Sequence, residues 1–82
     1  MNLTVKPTST VDVEVILTAR LGGTAVKYVT VQEDGENAVV KAKGVLPYTV
    51  WLSINKAARE MGGTYKRREN LWLIPLNKKP NV

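Results

Sequence analysis

The first half of the chain alternates apolar and polar residues with a period of two, which is the pattern of half-buried β-strands. The alternation is clearest over Thr10–Arg20, where four side chains are expected to face the core: Val11, Val13, Val15 and Leu17. Two further strands are predicted at Ala25–Gln32 and Ala38–Lys43. The glycines of Leu21–Thr24 and the Asp-Gly pair of Glu33–Asn37 are typical of the turns that would separate the three strands.

The faces of these strands differ in how clearly the pattern assigns them. The third strand alternates small apolar residues with Lys41 and Lys43, so both lysines are expected on its outer face. Its inward-facing residues are Ala38, Val40 and Ala42. The second strand has apolar residues on both faces, and the face that Tyr28 occupies therefore stays open.

The period changes to that of a helix after the third strand. Pro47 suits the first turn of a helix because it lacks the N–H that would be unpaired there, and Met61–Gly63 supply a stop. One face of this helix should pack on the sheet: Val50, Ile54, Ala57, Ala58 and Met61, with Trp51 at its margin. The opposite side would carry Tyr48, Leu52, Asn55 and Arg59.

The last strand is predicted at Leu71–Leu76, reached through a hairpin or turn formed by Thr64–Lys66 and Arg67–Asn70. Both of its faces are apolar, with Trp72, Ile74 and Leu76 on one and Leu71 and Leu73 on the other. It is therefore either central and covered on both sides or part of an interface. Pro75 cannot donate a ladder hydrogen bond, which favours an edge strand or the end of a strand.

These elements predict an α+β fold with a small antiparallel sheet: three N-terminal strands, one helix and one C-terminal strand. A length of 82 residues fits one domain spanning residues 1–82, with residues 1–9 and 77–82 expected to fray. No apolar run reaches the length of a membrane span, and Met1–Pro7 lacks the basic and apolar regions of a signal peptide. A cytoplasmic protein without membrane contact is expected.

The chain contains no Cys and no His, which removes thiol chemistry, the common zinc sites and the usual general base. Asp12 and Glu14 would share one face of the first predicted strand, as a metal or acid–base pair does, but a solvated strand face explains them better. Neither a phosphate-binding glycine motif nor a catalytic triad is present. The sequence therefore predicts a protein that is not an enzyme and needs no cofactor.

The distribution of charge along the chain indicates the class of binding partner. Residues 1–36 hold three basic and five acidic residues, a net charge of −2, whereas residues 37–82 hold nine basic and two acidic residues, a net charge of +7. Such an imbalance within one small domain is typical of proteins that bind a polyanion. A basic surface that only keeps the protein soluble is the alternative.

The C-terminal third adds a resemblance. The stretch Ala57–Tyr65 ends a helix at glycines and continues to an aromatic residue; a basic turn follows, and then Leu71–Leu76 with its tryptophan. This helix–turn–strand unit resembles small archaeal single-stranded-DNA-binding proteins of the ThermoDBP-related type, and it is similar to the HARP domain of annealing helicases. The resemblance implies binding of DNA single strands, or of their junctions with duplex, without catalysis.

A site for single strands can also be predicted from the residues themselves, because such sites combine cations for phosphates with aromatic platforms for bases. The candidate nucleic-acid-binding residues are Tyr28, Lys41, Lys43, Arg59, Tyr65, Lys66, Arg67 and Arg68. Trp72 is expected in the core, and Trp51 suits either role. Duplex binding is disfavoured because no major-groove motif is present, while RNA stays open as a ligand.

The alternative function is that of a homo-oligomeric assembly module. Its apolar contact surface would consist of Tyr48, Leu52, Leu71 and Leu73. A homodimer is expected under both hypotheses, since a dimer could line a groove with basic residues.

Overall fold

The structure is a computed structural model that describes residues 6–77, except for the side chains of Thr24 and Ala25. Its elements in chain order are α1 (Thr10–Leu21), α2 (Gly23–Val26), β1 (Val29–Asp34), β2 (Asn37–Ala42), α3 (Tyr48–Glu60), β3 (Thr64–Lys66) and β4 (Leu71–Pro75). The α+β class and the small antiparallel sheet are confirmed. Most residues predicted to fray lie outside the described range.

The four strands form one antiparallel sheet in the order β1-β2-β4-β3. The hairpin β1-β2 is closed by Gly35 and Glu36 between the paired residues Asp34 and Asn37. Gly35 has a φ of 64° at the first central position, where a type II′ turn places glycine. The predicted Asp-Gly turn and the third predicted strand are therefore confirmed.

The first predicted strand is wrong, because Thr10–Leu21 forms a helix. Ser9 caps this helix by accepting a hydrogen bond from the backbone N–H of Asp12 at 3.3 Å. Val13 and Leu17, four residues apart, are fully buried. The other two valines of the alternating pattern, Val11 and Val15, stay 64% and 59% exposed. The core side of this segment is therefore one face of a helix, formed by Val13 and Leu17, and not every second residue as in a strand.

The second predicted strand is wrong in its first half. Gly22 ends α1 with a φ of 87°, and the single turn of α2 follows before β1 begins at Val29. Val29 is buried and pairs with Ala42. The neighbouring residue, Tyr28, therefore lies on the opposite, open face of the sheet, an assignment that the sequence left undecided. The ladder continues one residue beyond the strands, because the N–H of Lys43 donates to the carbonyl of Tyr28 at 2.9 Å.

The C-terminal hairpin is confirmed, but its last strand does not lie at an edge. β4 pairs with both β2 and β3, so the edge interpretation of this strand is wrong. Pro75 is the last residue of β4, where a missing N–H is tolerated. The edge strands are instead β1 and β3, and β3 has only three residues, too few for its alternation to be visible in the sequence.

The helices α1 and α3 cover one face of the sheet and enclose the core. The buried apolar residues are Val13, Leu17, Val29, Ala38, Val40, Ile54, Ala57, Ala58, Met61, Trp72, Ile74 and Leu76. The predicted inner face of α3 is confirmed, as is the burial of Trp72. Asn55 faces this core, not the exposed side, since its Oδ1 accepts a hydrogen bond from the Trp72 indole N–H at 3.1 Å. Arg20 and Glu60 form an ion pair between α1 and α3.

Within residues 6–77, no helix has the length and apolar character needed to cross a membrane.

Candidate nucleic-acid interface

Five cations lie at one end of the sheet, where β2 and β3 end and β4 begins. Lys41 and Lys66 both pair with Leu71, so they occupy one row across three strands. Lys43 follows directly after β2. Arg67 and Arg68 begin the turn that follows β3. We call these five residues the basic end.

All five side chains of the basic end are exposed, and within residues 6–77 none of them forms an ion pair. One acidic residue, Glu69, lies in the same turn. Because their charges are not neutralised within this part of the chain, the five cations add to a local positive potential. Such a potential attracts the phosphates of a nucleic acid.

The two faces of the sheet meet at the basic end. Strand alternation puts Val40 and Trp72 on the face covered by the helices, and Lys41, Lys66 and Leu71 on the open face. The open face also carries half-buried apolar side chains in its middle strands: Val39, Leu71 and Leu73. Cations therefore border an apolar strip that no other element of the described chain covers.

A cleft of about 580 Å³ opens beside the basic end. It lies between the end of β2, the loop that follows, the first turn of α3 and the turn between β3 and β4. Its lining residues are Ala42, Lys43, Gly44, Val45, Leu46, Tyr48, Trp51 and Asn70. Trp51 is half-buried, while Tyr48 is 73% exposed. The two rings supply flat apolar surface close to a cation, which is the combination that single-strand sites use.

An aromatic cluster supports the cleft. The ring of Tyr65 lies edge-on to Trp51 at 5.3 Å between centroids and tilted to Trp72 at 4.9 Å. Its hydroxyl donates a hydrogen bond to Oδ1 of Asn70 at 2.5 Å. Tyr65 is therefore a half-buried residue that contacts both tryptophans and holds Asn70.

The structure brings together six of the eight candidate binding residues. The basic end holds five of them, and Tyr28 lies opposite Lys43 at the start of β1, 38% exposed. Tyr65 lies behind the cleft. Arg59 is exposed near the C-terminal end of α3, about 16 Å along the helix axis from Tyr48. Arg59 is thus remote from the basic end.

The four candidate interface residues fall into two separate patches. Tyr48 and Leu52 are exposed on α3, whereas Leu71 and Leu73 lie on the open face of the sheet. These two patches are on opposite sides of the domain, because α3 packs on the other face of the sheet. One contact surface cannot contain all four residues.

Two residues of the cleft, Tyr48 and Asn70, are not among the binding residues that the sequence predicts. The sequence pattern puts Tyr48 and Trp51 on different sides of the helix. Both line the cleft, because the first turn of α3 faces the loop between β2 and α3. Asn70 was seen only as part of a polar turn. It has a φ of 59°, and its N–H donates to the carbonyl of Lys66 at 2.8 Å. An asparagine at the end of a short polar hairpin loop is a signal for this left-handed conformation.

The chain matched no protein-family model, no curated protein and no solved structure. Within residues 6–77, no group of three or more acidic, His or Cys side chains is arranged to hold a metal ion. What the site offers is cationic and aromatic surface.

Proposed function

We propose that the protein binds single-stranded nucleic acid, with single-stranded DNA as its preferred ligand, and that it does so without catalysis. The observation that carries the proposal is the position of the cleft: a cavity with Tyr48 and Trp51 in its wall lies directly beside five cations that form no ion pair with any other described residue. The choice of DNA rests on the resemblance inferred from the sequence of the C-terminal third, and it is part of this proposal. We place this function in the cytoplasm.

The two parts of the site have different tasks. The cations of the basic end contact phosphates, and the cleft receives a base that stacks against an aromatic ring. Stacking of one base on an aromatic side chain contributes about 1–3 kcal/mol. If each cation neutralises one phosphate of a single strand, the logarithm of the binding constant falls with the logarithm of the salt concentration with a slope of about −3.5.

The cleft distinguishes single strands from duplex. A base can enter it only after leaving its stack, and this costs a few kcal/mol in a paired duplex but little in a single strand. The open face of the sheet does not present a helix that could lie in a major groove. The protein should therefore prefer single strands at every salt concentration.

The proposal is tested by fluorescence anisotropy with a labelled single strand and the matching duplex at several salt concentrations. The variant Arg67→Ala/Arg68→Ala should bind more weakly and reduce the salt slope by about 1.4, because two phosphate contacts are lost. The matched control is Lys56→Ala/Arg59→Ala, which removes two exposed cations of α3 outside the basic end. No binding of any oligonucleotide at low salt would overturn the proposal.

The open face of the sheet favours a second candidate function, homodimerisation. Val39, Leu71 and Leu73 form an apolar strip there, and burying this strip against a second copy would stabilise a small domain. Sedimentation over a range of protein concentrations should show a dimer that persists at high salt, since apolar contacts are not screened. The variant Leu73→Lys should be monomeric and folded. A wild-type monomer at all concentrations would discard this candidate.

A further inference from the structure

The side chains that line the cleft offer mostly hydrogen-bond donors. Lys43 carries an ammonium group and Asn70 an amide. The Oδ1 atom of Asn70 accepts the hydrogen bond of the Tyr65 hydroxyl, whereas its NH₂ group has no partner within residues 6–77. The indole N–H of Trp51 is a donor only, and the Tyr48 hydroxyl can act in both ways. None of the acidic side chains that the structure describes lines the cleft.

The direction of the Asn70 amide is held by its surroundings. The backbone of Asn70 is anchored by its bond to Lys66, and the ring of Tyr65 is held between Trp51 and Trp72. The hydroxyl of Tyr65 therefore meets Oδ1 from a fixed position. Because Oδ1 is turned toward the Tyr65 hydroxyl, the NH₂ group with its two N–H donors is the end of the amide that can face the cleft.

Bases differ in how well they fit a lining of donors. Thymine has two carbonyl oxygens and no exocyclic amino group, and uracil shares this pattern. At C4, where thymine and uracil carry one of these oxygens, cytosine carries an amino group that donates, as adenine does at C6. An amino group placed against the amide of Asn70 or the ammonium of Lys43 would leave two donors facing each other without an acceptor.

We propose that the cleft selects thymine or uracil over cytosine, with Asn70 as the specificity-determining residue and Tyr65 as a positioning residue. This inference rests on the proposed binding of single strands and names the base that enters the cleft. The carbonyl of the base accepts a hydrogen bond from the Asn70 NH₂ group, while the ring stacks against Tyr48 or Trp51. One added hydrogen bond of this kind corresponds to a preference of roughly 3- to 10-fold.

The test compares oligo(dT) with oligo(dC) of equal length by fluorescence anisotropy, with oligo(U) in a third arm. The two deoxypyrimidine strands differ at the base edge without the strong self-stacking of purines. Wild type should bind oligo(dT) roughly 3- to 10-fold more tightly than oligo(dC). The oligo(U) arm shows whether RNA is accepted equally, because the base pattern is the same and the sugar differs.

Two variants of Asn70 make the test sharp. Asn70→Gly keeps the backbone conformation, since glycine adopts a φ of 59° without strain, and it should bring the dT/dC affinity ratio to about 1. Asn70→Asp replaces the donor with an acceptor for the cytosine amino group, so the ratio should invert while both affinities fall. Tyr65→Phe should lower the ratio, because the amide is then no longer oriented.

The outcomes separate this inference from the proposed function. Salt-sensitive binding of both strands with equal affinity, or a preference for oligo(dT) that persists in Asn70→Gly, would overturn the role of Asn70 and leave the binding function intact. Failure of the wild-type protein to bind either strand would instead overturn the proposed function itself. Thermal melts of each variant establish that the fold is retained.

Discussion

The substitution Gly63→Ala should destabilise the protein strongly, although it adds one methyl group. A Cβ at this position would lie 2.8 Å from Cγ1 of Ile74, 2.9 Å from the carbonyl oxygen of Leu73 and 3.0 Å from that of Ala58. The Ala58 carbonyl accepts the N–H of Gly63 itself at 2.7 Å, and Leu73 lies in the ladder between β4 and β3. Neither oxygen can retreat without disturbing a backbone hydrogen bond.

The magnitude follows from the nature of these contacts. Overpacking of a core costs about 1–3 kcal/mol, and contacts with backbone atoms place Gly63→Ala at the upper end, about 3 kcal/mol. For a domain of this size, each kcal/mol lowers the melting temperature by about 4–8 °C. The expected decrease is therefore about 12–24 °C.

Thermal and urea unfolding followed by tryptophan fluorescence measures this effect. Gly44→Ala is the matched control, because a Cβ there meets no atom within 4 Å, and its melting temperature should stay close to that of wild type. A Gly63→Ala variant that melts within about 2 °C of wild type would refute the close approach of α3 to the β3–β4 hairpin.

Three further predictions concern stability. Asn55→Leu should cost about 2 kcal/mol in urea unfolding, because it leaves the buried N–H of Trp72 without an acceptor, and an equally stable variant would contradict this bond. Leu17→Ala should cost about 2–4 kcal/mol, and a near-neutral result would contradict the helical packing of α1. The hydroxyl and then the N–H of Thr8 lower the pKa of Asp12 below its ordinary value of 3.8. The unfolded state therefore binds this proton more readily, so Asp12 stabilises the fold above pH 3.8, and that contribution disappears as the pH falls through the lowered pKa. Asp12→Asn should accordingly be less stable than wild type at pH 7, with a difference that vanishes in acid; a difference that persists in acid would contradict this account.

The sequence predicts the fold best where the spacing of the apolar residues fits only one type of secondary structure. The helix α3 has an apolar face at helical spacing between a proline and two glycines, and β2 follows an Asp-Gly turn. Both were predicted within a residue or two of their observed bounds. In α1, valines at every second position satisfy a strand and a helix equally, because residues four apart belong to both patterns. The cap formed by Ser9 and Asp12 was the local signal that favours the helix.

The candidate site was predictable in its charge but not in its shape. The cations at Lys66–Arg68 and in β2 were visible as a basic C-terminal half, and antiparallel pairing brings them to one end of the sheet. The cleft depends on how the loop after β2 approaches α3, which no local pattern specifies. The contact between Tyr65 and Asn70 likewise depends on the turn geometry of the last hairpin.

The binding of single strands at the basic end and its cleft is tested most directly by NMR, with backbone amide signals followed while oligo(dT) is added to the full chain. Binding at this site predicts the largest shifts at residues 43–51 and 66–71, including the indole N–H of Trp51, with little change in α1. Unchanged spectra at excess oligonucleotide, or shifts confined to α1, would contradict it.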